Sequence, residues 1–318
     1  MTMLPPEVHV FVRDWLSANH VLLKGRDGAV VVDTGYAKHI PLTRALLASR
    51  SGLDGRPLIR IVNTHCHSDH MGGNAALQRD YRCPIAIPEG EAGRVASWDE
   101  HALLVGYAGQ RAERFEATEI IRSGSVHAWG DLEWRALAAP GHDMGALVFF
   151  NDAHGILISG DALWRNGYGF VMPPAFDAGA LAATRATLEM LSGLGARCVI
   201  PGHGEPFTDV GDALERALVR TAAFEADPLR LVWHAIKVML VFTLLDRERM
   251  AAERVPAWVE GTGIIRDFNA EYLGLAPEAL AERLATELVK VGALRRDGAD
   301  LVPVASPPDR GRPSPPTS

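Results

Sequence analysis

Cysteine is scarce in this chain of 318 residues, which has only Cys66, Cys83 and Cys198. So few, and an odd number, make no disulfide framework, and they fit a reducing compartment. The N-terminal stretch "MTMLPPEVHVFV" has no basic segment followed by a long apolar run, so no signal peptide is expected. Long apolar runs are also missing. The most apolar stretch, "LVWHAIKVMLVFTLL" (231–245), contains His234 and Lys237 and reads as a buried helix, too short to span a bilayer comfortably. The expected location is therefore cytoplasmic, with no membrane partner. Positive charge is not in excess either: the net charge is −7. That balance disfavours a nucleic-acid partner. No repeat of solenoid period is present.

What is present is enough apolar sequence, 47% of residues, for a large core, and a length comfortable for two domains. Over the first two-thirds, short apolar runs alternate with helical stretches. "VHVFV" (8–12), "HVLLK" (20–24) and "AVVVDTG" (29–35) read as strands, the last two joined by the turn "GRDG". "PLTRALLASR" (41–50) and "GGNAALQRDY" (72–81) read as helices, and "LIRIVNT" (58–64) and "PIAIP" (84–88) as strands. Residues 89–116 read as mainly helical. Strands return at 132–141, 146–152 and 155–162, a helix at 177–193, and "RCVIPGHG" (197–204) follows. From about residue 210 the pattern is almost wholly helical, to a last helix near 277–292 and a hairpin turning at Asp297-Gly298. This predicts domains at 1–208 and 209–305, with the shift in composition falling near 208–228. The Pro- and Ser-rich tail, 306–318, is expected to be disordered.

The densest chemical signal is "THCHSDHMGG" (64–73), with three of the chain's 12 histidines and an aspartate inside six positions. Four more stretches place a ligand-type residue beside glycine just after an apolar run. They are "VVVDTG" (Asp33), "APGHDMG" (His142), "LISGDAL" (Asp161) and "VIPGHGEP" (His203). A strand end fixes a side chain, and glycine lets the backbone turn tightly around an ion. Five histidines and two carboxylates suit two divalent metals of the zinc type. His9, His20, His39, His101, His127, His154 and His234 lie outside these motifs and read as surface or core residues, with His101 in a segment (97–107) that could cover the site. Cys66 would point away from its neighbouring ligands if 65–67 is extended.

Taken together and in this order, "THCHSDHMGG", "PGHDMG", "SGDAL", "PGHGEP" and the early "VVDTG" resemble the metallo-β-lactamase superfamily over roughly residues 8–207. The resemblance implies an αββα sandwich, two mixed sheets face to face with helices outside, followed here by a small, mainly helical domain of winged-helix layout. It implies that His65, His67 and His142 hold one metal, that Asp69, His70 and His203 hold a second, and that Asp161 bridges them. Asp33 would orient the site from behind. The metals would be Zn2+, with Fe or Mn as alternatives. Keeping the bridging aspartate is similar to the glyoxalase II, lactonase and RNA-processing branches, and unlike the β-lactamases with a cysteine at that position. The function implied is hydrolysis of an activated acyl bond, thioester or lactone, in a small-molecule substrate, with Asp69 or Asp161 handling the proton. A phosphodiesterase or ribonuclease and an iron-dependent persulfide dioxygenase are the alternatives, and β-lactam hydrolysis ranks lower. Trp164, Tyr168, Phe170 and Met172, just after Asp161, are candidates for an apolar substrate wall. In "PEALAERLATELVK" (277–290), Leu280, Leu284 and Leu288 make one face apolar and the charge is acidic on balance, so the C-terminal domain reads as a packing or homodimerisation module.

Overall fold

The computed structural model describes residues 4–304; the tail expected to be disordered lies outside the described residues. The chain divides into two compact units, 1–236 and 237–318.

The first unit holds two sheets. One has the order β1 (Val8–Phe11), β2 (His20–Lys24), β3 (Ala29–Val32), β4 (Leu58–Val62), β5 (Ile85–Pro88) and β6 (Glu119–Ile121). β1 to β3 pair antiparallel, and β3 to β6 pair parallel. The other sheet comprises β7 (Val126–Trp129), β8 (Leu132–Ala138), β9 (Leu147–Asn151), β10 (Ile156–Gly160) and β11 (Cys198–Pro201), in the order β11-β10-β9-β8-β7. Only β10 and β11 run parallel there.

Side chains alternate across each strand, and in β3, β5, β9, β10 and β11 both faces are buried, so these strands read as nearly continuous apolar runs. Val30 and Val32 of β3 face the core between the sheets, where they join Trp134, Phe149, Ile156 and Ile158. Val31 faces the other way, toward Leu47, Ile61, Met71 and Leu77. That outer layer contains the helices α1 (Ile40–Ala48), α2 (Ser68–Met71), α3 (Asn74–Tyr81) and α4 (Ala92–Ser97). On the opposite side, Val148, Phe150, Leu157 and Val199 meet α5 (Ala180–Ser192) and α6 (Val210–Ala226). The first unit therefore has the expected αββα layering.

Residues 89–116 depart from expectation. After α4 the chain runs in turns, with Trp98 and Leu104 in the left-handed region at φ 54° and 55°. The apolar residues Leu103 and Val105 are buried, but in turns that cap the first sheet's outer face. The domain boundary expected at 208/209 also lies inside the first unit. The apolar face of α6, with Ala213, Leu214, Ala217 and Phe224, packs into the same cluster as Leu181 and Leu188 of α5.

The division into units falls within α7 (Pro228–Arg247). By length and composition α7 could cross a membrane. Leu231, Val232, Ala235, Ile236, Leu240 and Leu244 are buried, and 44% of its most apolar window lies inside the protein. The second unit adds α8 (Val255–Gly261), α9 (Gly263–Phe268), α10 (Pro277–Lys290) and a sheet ordered β12-β14-β13 from Met250–Ala251, Asp300–Pro303 and Leu294–Asp297. The Leu280, Leu284 and Leu288 stripe is fully used inside the protein. A homodimer would need a different surface.

Phe149 is wholly buried between the sheets. Phe149→Ala should destabilise the first unit by about 3–5 kcal/mol, whereas Val126→Ala, at a position 59% exposed, should stay within about 0.5 kcal/mol. Denaturant titration followed by circular dichroism measures both.

Candidate metal centre

Most of the segments that build the site come directly off the ends of core strands that belong to parallel pairs. Asp33 follows β3, the 65–70 cluster follows β4, Asp161 follows β10 and His203 follows β11. His142 lies in the loop from β8 to β9. Glycine is required at two of the turns around them. A Cβ at Gly202 would collide with Asp161 Oδ1, and one at Gly169 would meet His142 Nδ1 at 2.5 Å.

All seven sequence-derived ligands come together, in two groups. His65, His67 and His142 form one; Asp69, His70, Asp161 and His203 form the other, with candidate ligand atoms inside each group within 4.8 Å of one another. Asp161 faces both: its Oδ2 is 3.5 Å from His142 Nε2, and its Oδ1 is 3.3 Å from His70 Nε2. Asp69 Oδ2 is 3.1 Å from His203 Nε2.

Asp33 stands behind this array. Its carboxylate accepts from Thr64 N at 2.9 Å and Thr64 Oγ1 at 2.8 Å, and lies 2.8 Å from His70 Nδ1. With Nδ1 held there, His70 presents Nε2 to the site. His142 is oriented in the same way, its Nδ1 against the carbonyl of Phe170.

The electrostatics call for a cation. Asp33, Asp69 and Asp161 are all within a largely dry cluster, with side chains 4%, 13% and 5% exposed. Burial opposes charge on His70, but Asp161, Asp33 and Asp69 outweigh it and hold that imidazole well above its usual range. Burial likewise pushes Asp161 up, yet His70, His203 and His142 keep it well below the usual carboxylate range. Burial and the neighbouring imidazoles of His70, His67 and His142 push His65 well below its usual value, and burial together with His142 takes His67 to about 4. Those two rings are therefore neutral near pH 7 and carry lone pairs suited to a metal.

The fit to metal rests on atoms left without partners. His65 Nε2 is buried and makes no hydrogen bond. His67 Nδ1 and His142 Nε2 lie 2.9 Å apart, and two lone pairs at that separation repel unless a proton or cation lies between them. Buried orphan acceptors of this kind are costly. Bound metal satisfies them together.

Among the wall candidates, Trp164 and Phe170 make ring contacts with ligand histidines. The Trp164 ring is 5.3 Å from His203 and its Nε1 donates to Asp161 Oδ1 at 3.0 Å. The Phe170 ring is 5.5 Å from that of His142. Tyr168 instead turns into the core outside the second sheet, where its hydroxyl meets Thr221 Oγ1, and Met172 packs on the same core. Two residues at the site escaped the sequence reading. Trp15 is 44% exposed and stacks on His203 at 5.5 Å with an interplanar angle of 6°. Asp143 is buried, with Oδ2 3.5 Å from His67 Nε2. Trp15 had no motif to mark it, whereas Asp143 adjoins a ligand in "GHDMG".

Comparison with known proteins agrees with this geometry. The family model "Metallo-beta-lactamase superfamily" matches residues 13–203. The chain is 24% identical over 209 residues to the acyl-coenzyme A thioesterase MBLAC2 of Gallus gallus, covering 60% of this chain and 73% of that protein. It is 27% identical to a hydroxyacylglutathione hydrolase of Bdellovibrio bacteriovorus over 54% of this chain and 59% of that one, so the match spans little more than half the relative's length. A crystal structure of a metallo-beta-lactamase family protein from Thermus thermophilus shares the fold, with a TM-score of 0.57 at 22% identity, covering 95% of this chain and all of that one. The chain belongs to the metallo-beta-lactamase superfamily and is a metal-dependent hydrolase of that family.

Proposed function

We propose that this metal-dependent hydrolase cleaves an activated acyl bond, a thioester or lactone, of a small apolar substrate in a reducing, cytoplasmic setting. The observation that carries the proposal is Asp161, a carboxylate with one oxygen toward each ligand group. His65, His67 and His142 would hold one ion, Asp69, His70 and His203 the other, and Asp161 both. Two divalent ions, zinc in this reading, polarise a carbonyl and lower the pKa of a water to roughly 7 when bound.

The chain's own groups supply the rest. Trp164 and Trp15 present aromatic surface beside His203, and the acyl group would lie against it. The indole Nε1 of Trp164 keeps Asp161 turned into the site. Asp69 has the most accessible carboxylate of the cluster, which suits it to take a proton from the attacking water. Water adds to the acyl carbon, the C–S or C–O bond breaks, and the proton passes to the leaving thiolate or alkoxide. The acyl-coenzyme A thioesterase and hydroxyacylglutathione hydrolase among the relatives support a thioester. Nucleic acid is not proposed as a partner, because the terminal hairpin pairs its Asp297 and Asp300 with Arg249.

The test joins metal analysis of purified protein to a panel of thioesters, lactones, phosphodiesters and β-lactams. The expected outcome is two metals per chain and thioester or lactone turnover, with Asp161→Ala folded but at least about 100-fold slower, a barrier increase of about 2.7 kcal/mol or more. Turnover confined to phosphodiesters, or iron with oxygen uptake, would displace the acyl reading.

Metal uptake should also release protons. His70 is held protonated in the metal-free protein by Asp161, Asp33 and Asp69 against the opposing effect of burial, and a ligand nitrogen must be bare. Metal affinity should therefore fall as pH falls. Calorimetry of zinc binding in buffers of different ionisation enthalpy reads the proton count, and a count of zero would contradict this.

A further inference from the structure

Two stretches around the site are not used by the ligand set: "PEGEAGR" (88–94) and the Asp-Met-Gly that follows His142. The fold brings them together behind His67. Asp143 Oδ2 lies 3.5 Å from His67 Nε2, while His67 Nδ1 is the atom beside His142 Nε2. The two nitrogens of this ring thus have different neighbours, the ligand cluster on one edge and a carboxylate on the other.

The carboxylate is itself fixed. Arg94 Nη1 donates to Asp143 Oδ2 at 2.9 Å, and the backbone N–H of Gly145 donates to Oδ1 at 2.6 Å. Arg94 is held in turn by the carbonyl of Ala102 and, through Nη2, by Glu91 Oε1 at 3.1 Å. Glu91 is fully buried. The approach is so close that side chains are excluded from it. A Cβ at Gly145 would collide with Glu91 Oε1, and one at Gly90 would stand 2.6 Å from Gly145 Cα. Asp143 Oδ2 thus faces both Arg94 and His67, and Glu91 stands on the far side of Arg94.

We infer that Asp143 is a positioning residue for the first metal: anchored by Arg94 and Gly145, it receives the Nε2 edge of His67 and turns Nδ1, with its lone pair, toward His65 and His142. A neutral imidazole has one N–H, and an ionised carboxylate can only accept. A carboxylate at Nε2 therefore selects the ring form in which Nδ1 is bare. Asp33 does the corresponding work for His70 in the other group. Each ligand group then has its own buried aspartate behind a histidine. The inference rests on the metal-centre reading and is independent of which acyl bond is cleaved.

The experiment compares wild type, Asp143→Ala, Asp143→Asn and Glu91→Gln. Zinc affinities come from competition with a chromophoric chelator, and cobalt(II) substitution gives the ligand-field spectrum. In Asp143→Ala, one of the two ions should bind roughly 10–100-fold more weakly with an altered cobalt spectrum, while the other keeps its affinity. Asp143→Asn, which retains an oxygen for His67, should fall between this and wild type. Glu91→Gln should stay nearer to wild type, since Asp143 keeps Arg94 and Gly145. Melting of the metal-free proteins reports whether each variant folds, and if Asp143→Ala does not, Asp143→Asn is the deciding variant. A folded Asp143→Ala protein, or a folded Asp143→Asn protein where Asp143→Ala does not fold, that holds both ions with wild-type affinity and spectrum overturns the inference. Wild-type protein that binds no zinc or cobalt would instead overturn the metal-centre reading.

Discussion

The site depends on burying aspartates where little water reaches them. Asp33, Asp69 and Asp161 are close-set carboxylates, and among the described residues imidazoles supply the counter-charges around them. An isolated buried carboxylate is too costly to keep charged, so each must be hydrogen-bonded or paired. Asp33 meets that need with Thr64 and His70, and in doing so it ties the end of β3 to the cluster after β4. Its own backbone is in the left-handed region at φ 58°, a conformation that a non-glycine residue keeps only when its surroundings hold it. Asp69 and Asp161 remain, and they are balanced by a proton on His70 or by metal. The cluster thus holds the charge and the lone pairs that a pair of cations would use.

That constraint accounts for the placement of the site in the fold. β3, β10 and β11 are buried along their whole length and β4 at its C-terminal end, and each delivers a functional residue within a few positions of its last residue. A misplacement of an ångström would leave these carboxylates unpaired, so a firmly packed scaffold is needed. The inter-sheet core of Val30, Val32, Trp134, Phe149 and Ile158 is therefore part of the site's chemistry at one remove.

How much the sequence discloses follows from the range of each signal. The ligand cluster is legible because its residues are consecutive and each remaining ligand sits beside glycine at the end of an apolar run. The strands are legible for a related reason: burial on both faces leaves "AVVV" and "ILISG" without charged interruption. Residues 89–116 mislead because Leu103 and Val105 are buried without a helix, their chain bent by left-handed turns at Trp98 and Leu104. Trp15 carries no local mark of its role, and Asp143 carries only its place beside His142. What makes Trp15 notable is a ring from a distant strand end, and what makes Asp143 notable is an arginine 49 positions away.

The segment after Asp161 shows why composition does not give direction. Trp164, Tyr168, Phe170 and Met172 are equally suggestive as residue types, yet Trp164 and Phe170 make ring contacts with the ligands while Tyr168 and Met172 pack on the outer core. The chain turns sharply at Gly167, where Trp164 N bonds to the carbonyl of Gly167 and φ reaches 124°. Past that turn, Tyr168 faces the helix layer, and Gly169 comes so close to His142 that a Cβ there would be 2.5 Å from the ring. One short loop thus closes the ligand shell with Trp164 and Phe170 and fastens itself to α6 with Tyr168. The same aromatic richness serves two purposes, and backbone geometry at the glycines decides which residue serves which.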